Sequence, residues 1–418
     1  MRREKYVFTS WITALAMGMV GCGGSGPSTP QVTTSGLTKR VLITNEQNGA
    51  VHLLDAQNDK FNRSLATTSP TRIVTSGGQT VILNSGVASI SVIDDSKETV
   101  ASVGVLLNPA ADVAVSKDGK TAYAAVRNSG LVEMFHTSDG TIVTTASVPS
   151  ITRLVMGPKG LKLLAFPDDP QSLGTNPNSF FVIDTASNTV APVLGLPAGA
   201  QPYTAVFDPS DPNDTTAFIL FCGTECAGSA APRVAKVNFA TPATPVVTTV
   251  GGAPILGATV GLLSGANLFV AGTTTSPAGC PLTACGSLQV INTGTLTAGT
   301  AVPITDGLHT QMAITSNNHL YIGASSCTPG TVVNNLIRGC LSIFNTGAAV
   351  SSTNPLFPAE SAFRPDLNVT GLQPISGRTV IYVIQGGELD IYDFNTDSLT
   401  PNQLDVVGHA VGVVQIDP

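Results

Sequence analysis

The sequence predicts an all-β fold, a ring of four-stranded meanders, and three observations predict it. The stretch from Pro109 to Val148 holds four short runs of alternating apolar and polar residues, Asp112–Ser116, Thr121–Val126, Leu131–Phe135 and Thr141–Val148. Alternation at period two gives strands with two distinct faces. Lys117-Asp118-Gly119, Asn128-Ser129-Gly130 and Ser138-Asp139-Gly140 stand between the runs and supply the positive-φ positions of tight hairpins. The second observation is recurrence: eight segments read as third strands of such a unit, HLLD, SVID, EMFH, FVID, AKVN, QVIN, SIFN and DIYD. The third is that the ends of the repeat region complement each other. The first unit lacks an inner strand, and Ala410–Ile416 is an inner strand with no followers. Pairing them closes the ring and leaves no open sheet edge. The expected architecture is an eight-bladed β-propeller. Seven blades is the alternative, because the seventh unit has a weak outer strand and Phe357–Asp366 is irregular.

The elements follow in order. Lys39–Thr44, Ala50–Asp55 and Phe61–Ala66 make the three-stranded first unit. The second has Thr71–Ser76, Gln79–Asn84, Ile90–Asp95 and Thr99–Val105; the third is Pro109–Val148; the fourth has Ile151–Met156, Leu161–Phe166, Phe180–Asp184 and Val190–Leu194. Connections then lengthen. The fifth unit uses Thr204–Asp208, Ala217–Cys222, Val234–Asn238 and Pro245–Val250, and the sixth Ala258–Leu263, Asn267–Gly272, Ser287–Ile291 and Gly299–Ile304. The seventh uses Gln311–Thr315, Leu320–Ala324 and Leu341–Phe344, with an ill-defined fourth strand before Pro355. The eighth uses Val369–Pro374, Val380–Ile384, Glu388–Tyr392 and Gln403–Val407.

Composition agrees. Charged residues are 11% and aromatics 5% of the 418, which suits a β-rich exported protein, and no amphipathic helical run of useful length follows residue 22. The net charge is −7, and becomes −9 once Arg2, Arg3, Lys5 and Glu4 are removed with the first 21 residues. Such a dispersed negative charge excludes a nucleic-acid partner, which needs a basic footprint, and serves solubility.

The N-terminus reads as an address. Arg2, Arg3 and Lys5 precede the apolar run Tyr6–Val20, too short for a membrane span. It ends in Met19-Val20-Gly21-Cys22, which resembles a bacterial lipobox with Met19 where Leu is usual. That resemblance implies cleavage before Cys22 and lipidation of its thiol. Gly23–Gly36 is rich in Gly, Ser, Thr and Pro and reads as a flexible tether. The expected organisation is a lipoprotein signal peptide over 1–21, a lipidated Cys and tether over 22–38, and a propeller domain over 39–418. The expected place is the cell envelope, with a monomer held by its acyl chains to a bacterial membrane, the outer one.

The segments SKDGKTAYAAV, FFVIDTASNTV and SISVIDDSKETV resemble the repeats of YVTN-type β-propellers, bacterial relatives of the lactonase-like and quinoprotein-like propellers. The likeness covers roughly 39–418 and is clearest in units two to four. It implies the fold and leaves the function open, since propellers host unrelated activities.

Six cysteines remain after Cys22, as Cys222/Cys226, Cys280/Cys285 and Cys327/Cys340, each couple between the second and third strands of its unit. Three local disulfides are expected, formed outside the cytoplasm; zinc is the competing reading, against which stand irregular spacing and the lack of His in the loops. All three loops emerge on one face of the ring. With the long Pro167–Ser179 loop they make that face the candidate binding surface, although stapling against proteolysis would leave the same pattern.

Residues at the start of the inner strands ring the mouth of the central channel: Arg72, Asp112, Arg153, Tyr203, His309 and His409. Two His, two Arg, a carboxylate and a phenol suit a small anionic ligand, or a metal if the imidazoles converge; solvated lining is the plainer account. Asp208, Asp211 and Asp214 are spaced as turn formers rather than as a calcium loop. His52 and His136 read as ordinary face residues. There is no GxSxG, no HExxH, no phosphate loop and no nucleotide fingerprint. The sequence thus predicts a binding or scaffold module for a protein or envelope component, with no catalytic residue, metal or cofactor assigned. The alternative is a lactonase-like or quinoprotein-like enzyme at the channel mouth, motivated by His309 and His409 at equivalent positions.

Overall fold

In the computed structural model the hairpins predicted from turn chemistry form a closed ring of sheets. The structure describes residues 34–168, 178–199, 201–222, 233–272, 278–280, 285–328, 331–333, 336–347, 355–358, 368–401 and 404–417. Among them there is no α-helix, only a 3-10 turn at Arg127–Ser129. Ser35–Pro418 form one compact unit.

Closure occurs as the loose ends require. Arg40–Asn45, Ala50–Asp55 and Lys60–Ala66 are joined by Ala410–Gln415, which pairs antiparallel with Arg40–Asn45 as the inner strand of blade 1. The other inner strands, Pro70–Ser76, Asp112–Val115, Ile151–Met156, Pro202–Phe207, Val260–Ser264, His309–Ile314 and Val369–Pro374, belong to blades 2 to 8. Each touches the inner strand of the next blade, and the series returns to its start. The count is eight blades, not seven.

Two outer strands differ from expectation. Among the described residues the fourth strand of blade 7 is one bridge, Ile343 to Leu356. In blade 8 the outer strand is Ser398–Leu399, not Gln403–Val407, and Leu404 makes only a bridge to Leu389. The turn after Asp393 is tight, so the chain pairs at once rather than after a loop. In blade 6 the outer edge is split into Thr297–Ala298 and Val302–Ile304.

The Asp or Asn that ends seven of the eight third strands has a local cause. Its carboxylate or amide oxygen accepts the N–H two residues on, as in Asp55 to Gln57 (3.0 Å), Asp94 to Ser96 (3.0 Å), Asn238 to Ala240 (3.1 Å) and Asp393 to Asn395 (2.8 Å). Asp184, Asn292 and Asn345 do the same. The side chain therefore writes the turn into the outer strand. Blade 3 has His136 at this place and uses Asp139 instead.

Second strands lie between two neighbours and two faces, so their central residues are mostly apolar; Thr216–Phe221 is buried at every residue, whereas Lys60–Ala66 at the rim has no buried residue. The core is accordingly divided among the blade interfaces. One apolar cluster fills each of the eight interfaces, from Leu42, Val51 and Ile82 between blades 1 and 2 to Val41, Tyr382 and Ile391 between blades 8 and 1. Each fully buried side chain contributes about 2 kcal/mol, so the stability is spread around the ring.

Candidate functional site

Most inner strands carry a bulge at their second residue. The pairing jumps from Pro70–Asn84 to Arg72–Leu83, from Ile151–Pro167 to Arg153–Phe166, from Pro202–Phe221 to Thr204–Leu220, and from His309–Ala324 to Gln311–Gly323. Blades 8 and 1 show the same shift. The extra residue re-aims the remainder of the strand and fixes which side chain reaches the channel.

This register sorts the six predicted residues. Arg72, Asp112 and Arg153 share one position, opposite the next-to-last residue of their second strands, Leu83, Ala125 and Phe166. Tyr203 is the bulged residue of blade 5. These four lie on consecutive blades and form one cluster. Arg72 Nε lies 2.6 Å from Asp112 Oδ1. Asp112 is buried, and accepts the N–H of Val113 on Oδ1 (2.7 Å) and of Leu154 on Oδ2 (2.8 Å). Burial raises its pKa against the pull of Arg72. The Arg153 guanidinium stacks 3.7 Å above the Tyr203 ring and donates to its hydroxyl. Burial lowers the Arg153 pKa against the opposing pull of Tyr203 and Asp112.

The two histidines do not join them, and they are not equivalent to each other. His409 O accepts the N–H of Glu46 (2.9 Å), the bond that Leu308 O makes with Ser325 N (2.8 Å) in blade 7. His409 thus matches Leu308, one residue before His309. His309 instead matches Pro70, Ile151, Pro202, Val369 and Ala410, all buried. Its ring is wholly buried against Gly286, where a Cβ would come within 2.4 Å of Cε1, and neither ring nitrogen has a hydrogen bond among the described residues. Burial pushes its pKa down to about 4. The His409 ring lies against Gly387 on the neighbouring blade. No group of three metal-ligating side chains exists among the described residues. The pairing of His309 with His409, on which metal chemistry at the mouth depended, is therefore corrected.

The remaining candidates fall into place locally. Asp208 and Asp211 accept N–H groups of their own turns, from Ser210 and Asn213, and Asp214 accepts from Lys159 and Leu161 of blade 4. His52 bridges Asn45 and Ser64 within blade 1. The sequence reading missed the polar wall opposite the arginines. Arg72 lines a cavity of about 210 Å³ together with Thr71, Thr310, Gln311 and Thr370. The signal was present: Thr precedes the channel position in PTRI, ITRL, HTQM and VTGL.

Two staples stand on the loop face. Cys280–Cys285 and Cys327–Cys340 both close connections between second and third strands, in blades 6 and 7. The segment from Thr305 to His309 runs between them. Thr305 O accepts Gly286 N (3.1 Å) beside one staple, and Asp306 Oδ1 accepts Thr328 N (3.0 Å) beside the other. Cys226, the expected partner of Cys222, and Cys22, the expected lipidation site, lie outside the described residues, as does most of the Pro167–Ser179 loop.

No protein-family profile matches the chain. No curated protein matches it either. Solved structures do. Dihydro-heme d1 dehydrogenase NirN, in complex with DHE, matches over 94% of this chain and 78% of its own, with TM-score 0.64 and 12% identity. The Dos1 propeller matches over 89% and 88%, with TM-score 0.60 and 10% identity. BamB from Moraxella catarrhalis matches over 82% and 90%, with TM-score 0.51 and 14% identity. At such identities the likeness establishes the fold alone: the chain is a β-propeller repeat protein.

Proposed function

We propose that the chain is a YVTN-type propeller of the bacterial cell envelope, exported by residues 1–21 and held to the outer membrane through lipid on Cys22. It acts as a monomeric binding or scaffold module through its stapled loop face, and its partner is a protein or an envelope component. The observation that carries this reading is the pair of adjacent staples, Cys280–Cys285 and Cys327–Cys340, with the Thr305–His309 connection held between them. Loops ordered before binding lose less conformational entropy on complex formation. Recognition then falls to shape and hydrogen bonding on a rigid scaffold.

The test is affinity capture from solubilised envelopes with the full chain and with a variant whose 327–340 loop is replaced by a tight turn. The reading expects partners lost from the variant. Retention of every partner by the variant counts against it. Acyl labelling that persists in Cys22→Ala removes the anchor.

A further inference from the structure

Equivalent positions of the inner strands are not equally charged. Blades 2, 3 and 4 carry Arg72, Asp112 and Arg153 at the channel position. Blades 5 to 8 and blade 1 carry Thr204, Val260, Gln311, Gly371 and Gly412 there. The charge of this ring therefore lies on one arc, and two guanidinium groups against one carboxylate leave a single positive charge.

Asp112 is committed. Its oxygens serve Arg72 and two backbone N–H groups, so it neutralises Arg72. Arg153 is left with no carboxylate in ion-pair range among the described residues, and with the Tyr203 ring and hydroxyl as its partners. That hydroxyl accepts from Arg153, and no described residue accepts a hydrogen bond from it. A half-buried cation that feels Asp112 without touching a carboxylate is poorly compensated, and an anion drawn onto it relieves the cost. A guanidinium fork beside a phenol donor matches a planar carboxylate. A phosphate, with up to two charges, would be repelled by Asp112 more strongly than a singly charged carboxylate.

The cavity beyond Arg72 sets the rest of the molecule. Its polar side chains are Arg72, Thr71, Thr310, Gln311 and Thr370; the Thr71 hydroxyl donates to Leu83 O (3.3 Å) and keeps its lone pairs for a ligand, and the Thr370 hydroxyl is buried. These donate and accept, as sugar-like hydroxyls require. Its volume of about 210 Å³ is below the roughly 300 Å³ at which drug-sized pockets begin. The geometry points to a small hydroxylated monocarboxylate as a ligand of the central channel, with its carboxylate on Arg153 and Tyr203 beside Arg72, and its hydroxyls toward Thr71 and Gln311. This site is separate from the stapled loops and stands whether or not they bind a partner.

Titration calorimetry on the full chain tests it, with gluconate, glucose and inorganic phosphate as probes. Gluconate is expected to saturate one site, and glucose and phosphate to bind at least about tenfold more weakly. Arg153→Gln is expected to weaken gluconate by about tenfold or more, and Tyr203→Phe by several-fold through loss of one donor. The inference is overturned if gluconate gives no saturable heat, if glucose or phosphate binds as well, or if both variants bind gluconate as the parent does. Should Arg153→Gln fail to fold, Tyr203→Phe, which keeps the ring, decides the question by the same criterion.

Discussion

Arg40 holds Asp417 across 377 residues of sequence: its Nε and backbone N–H both donate to Asp417 Oδ2, at 2.7 and 2.9 Å, and Nη2 donates to Oδ1. The pair sits where the last strand joins the first. Closure of the ring thus rests on a fork-to-fork ion pair as well as on backbone pairing. Arg40 also reaches Glu98 of blade 2 at 3.2 Å, and the hydrogen bond that it donates to Asp417 raises the Arg40 pKa.

Cutting this pair is expected to loosen the whole ring, because every blade is buried against its neighbours. Arg40→Met leaves Asp417 with only the backbone N–H of residue 40 and Glu98 with Arg63 and Ser35, and is expected to cost about 2 kcal/mol. Asp417→Asn leaves Glu98 in place and costs less, about 1 kcal/mol. Urea unfolding of the single and double variants measures both, and additivity of the two losses would deny the coupling.

His309 makes stability depend on pH. Its folded pKa of about 4 lies below the ordinary 6.5, so the fold binds the neutral ring and protonation favours unfolding. The contribution is complete above pH 6.5 and is lost as pH falls toward 4, by about 3 kcal/mol in all. The matching positions Pro70, Ile151, Pro202, Val369 and Ala410 are all apolar, so His309→Val is expected to fold and to remove this slope. Urea midpoints at pH 7, 5.5 and 4 check it, and equal slopes in parent and variant refute it.

The staples differ in loop length, with 5 residues of separation in one and 13 in the other. Loop-closure entropy gives about 2 kcal/mol for Cys280–Cys285 and about 3 kcal/mol for Cys327–Cys340. Thermal unfolding of the two Cys→Ser pairs is expected to rank them in that order.

Asp59 has φ 52° and lies in the turn before the outer strand of blade 1, where blade 8 grips it. Tyr382 Oη donates to it at 2.5 Å and Arg378 Nη2 at 2.8 Å. Asp397 (φ 51°) is gripped by Tyr321 and His319 of blade 7 in the same way. Tyr382→Phe is expected to cost about 1 kcal/mol, and Asp59→Ala about 3 kcal/mol because two donors lose their acceptor. Chemical denaturation of both variants tests the ratio.

Much of this was legible because it is local. Asp94 two residues before Ser96 makes its turn wherever it stands, and period-two alternation selects strands without knowledge of neighbours. Four of the channel residues were legible too, since Arg72, Asp112, Arg153 and Tyr203 open strands. The mismatch of His309 and His409 was hidden because cross-strand register decides where an inner strand begins: His309 pairs with Ala324, whereas pairing in blade 1 starts at Ala410, one residue after His409. Thr71 and Thr370 escaped notice because their chemistry appears only when blades 2 and 8 face one cavity.

From the sequence alone came the meander, its turns, the eightfold count and the complementary ends, all products of backbone preference and hydrophobic period. Tertiary structure alone decided that Arg153 lacks a carboxylate in contact while Arg72 has one, that the His309 ring is fully buried, and that Arg40 meets Asp417. Those outcomes depend on which side chains converge from strands far apart in the chain, and convergence follows from register and ring curvature rather than from neighbours in sequence.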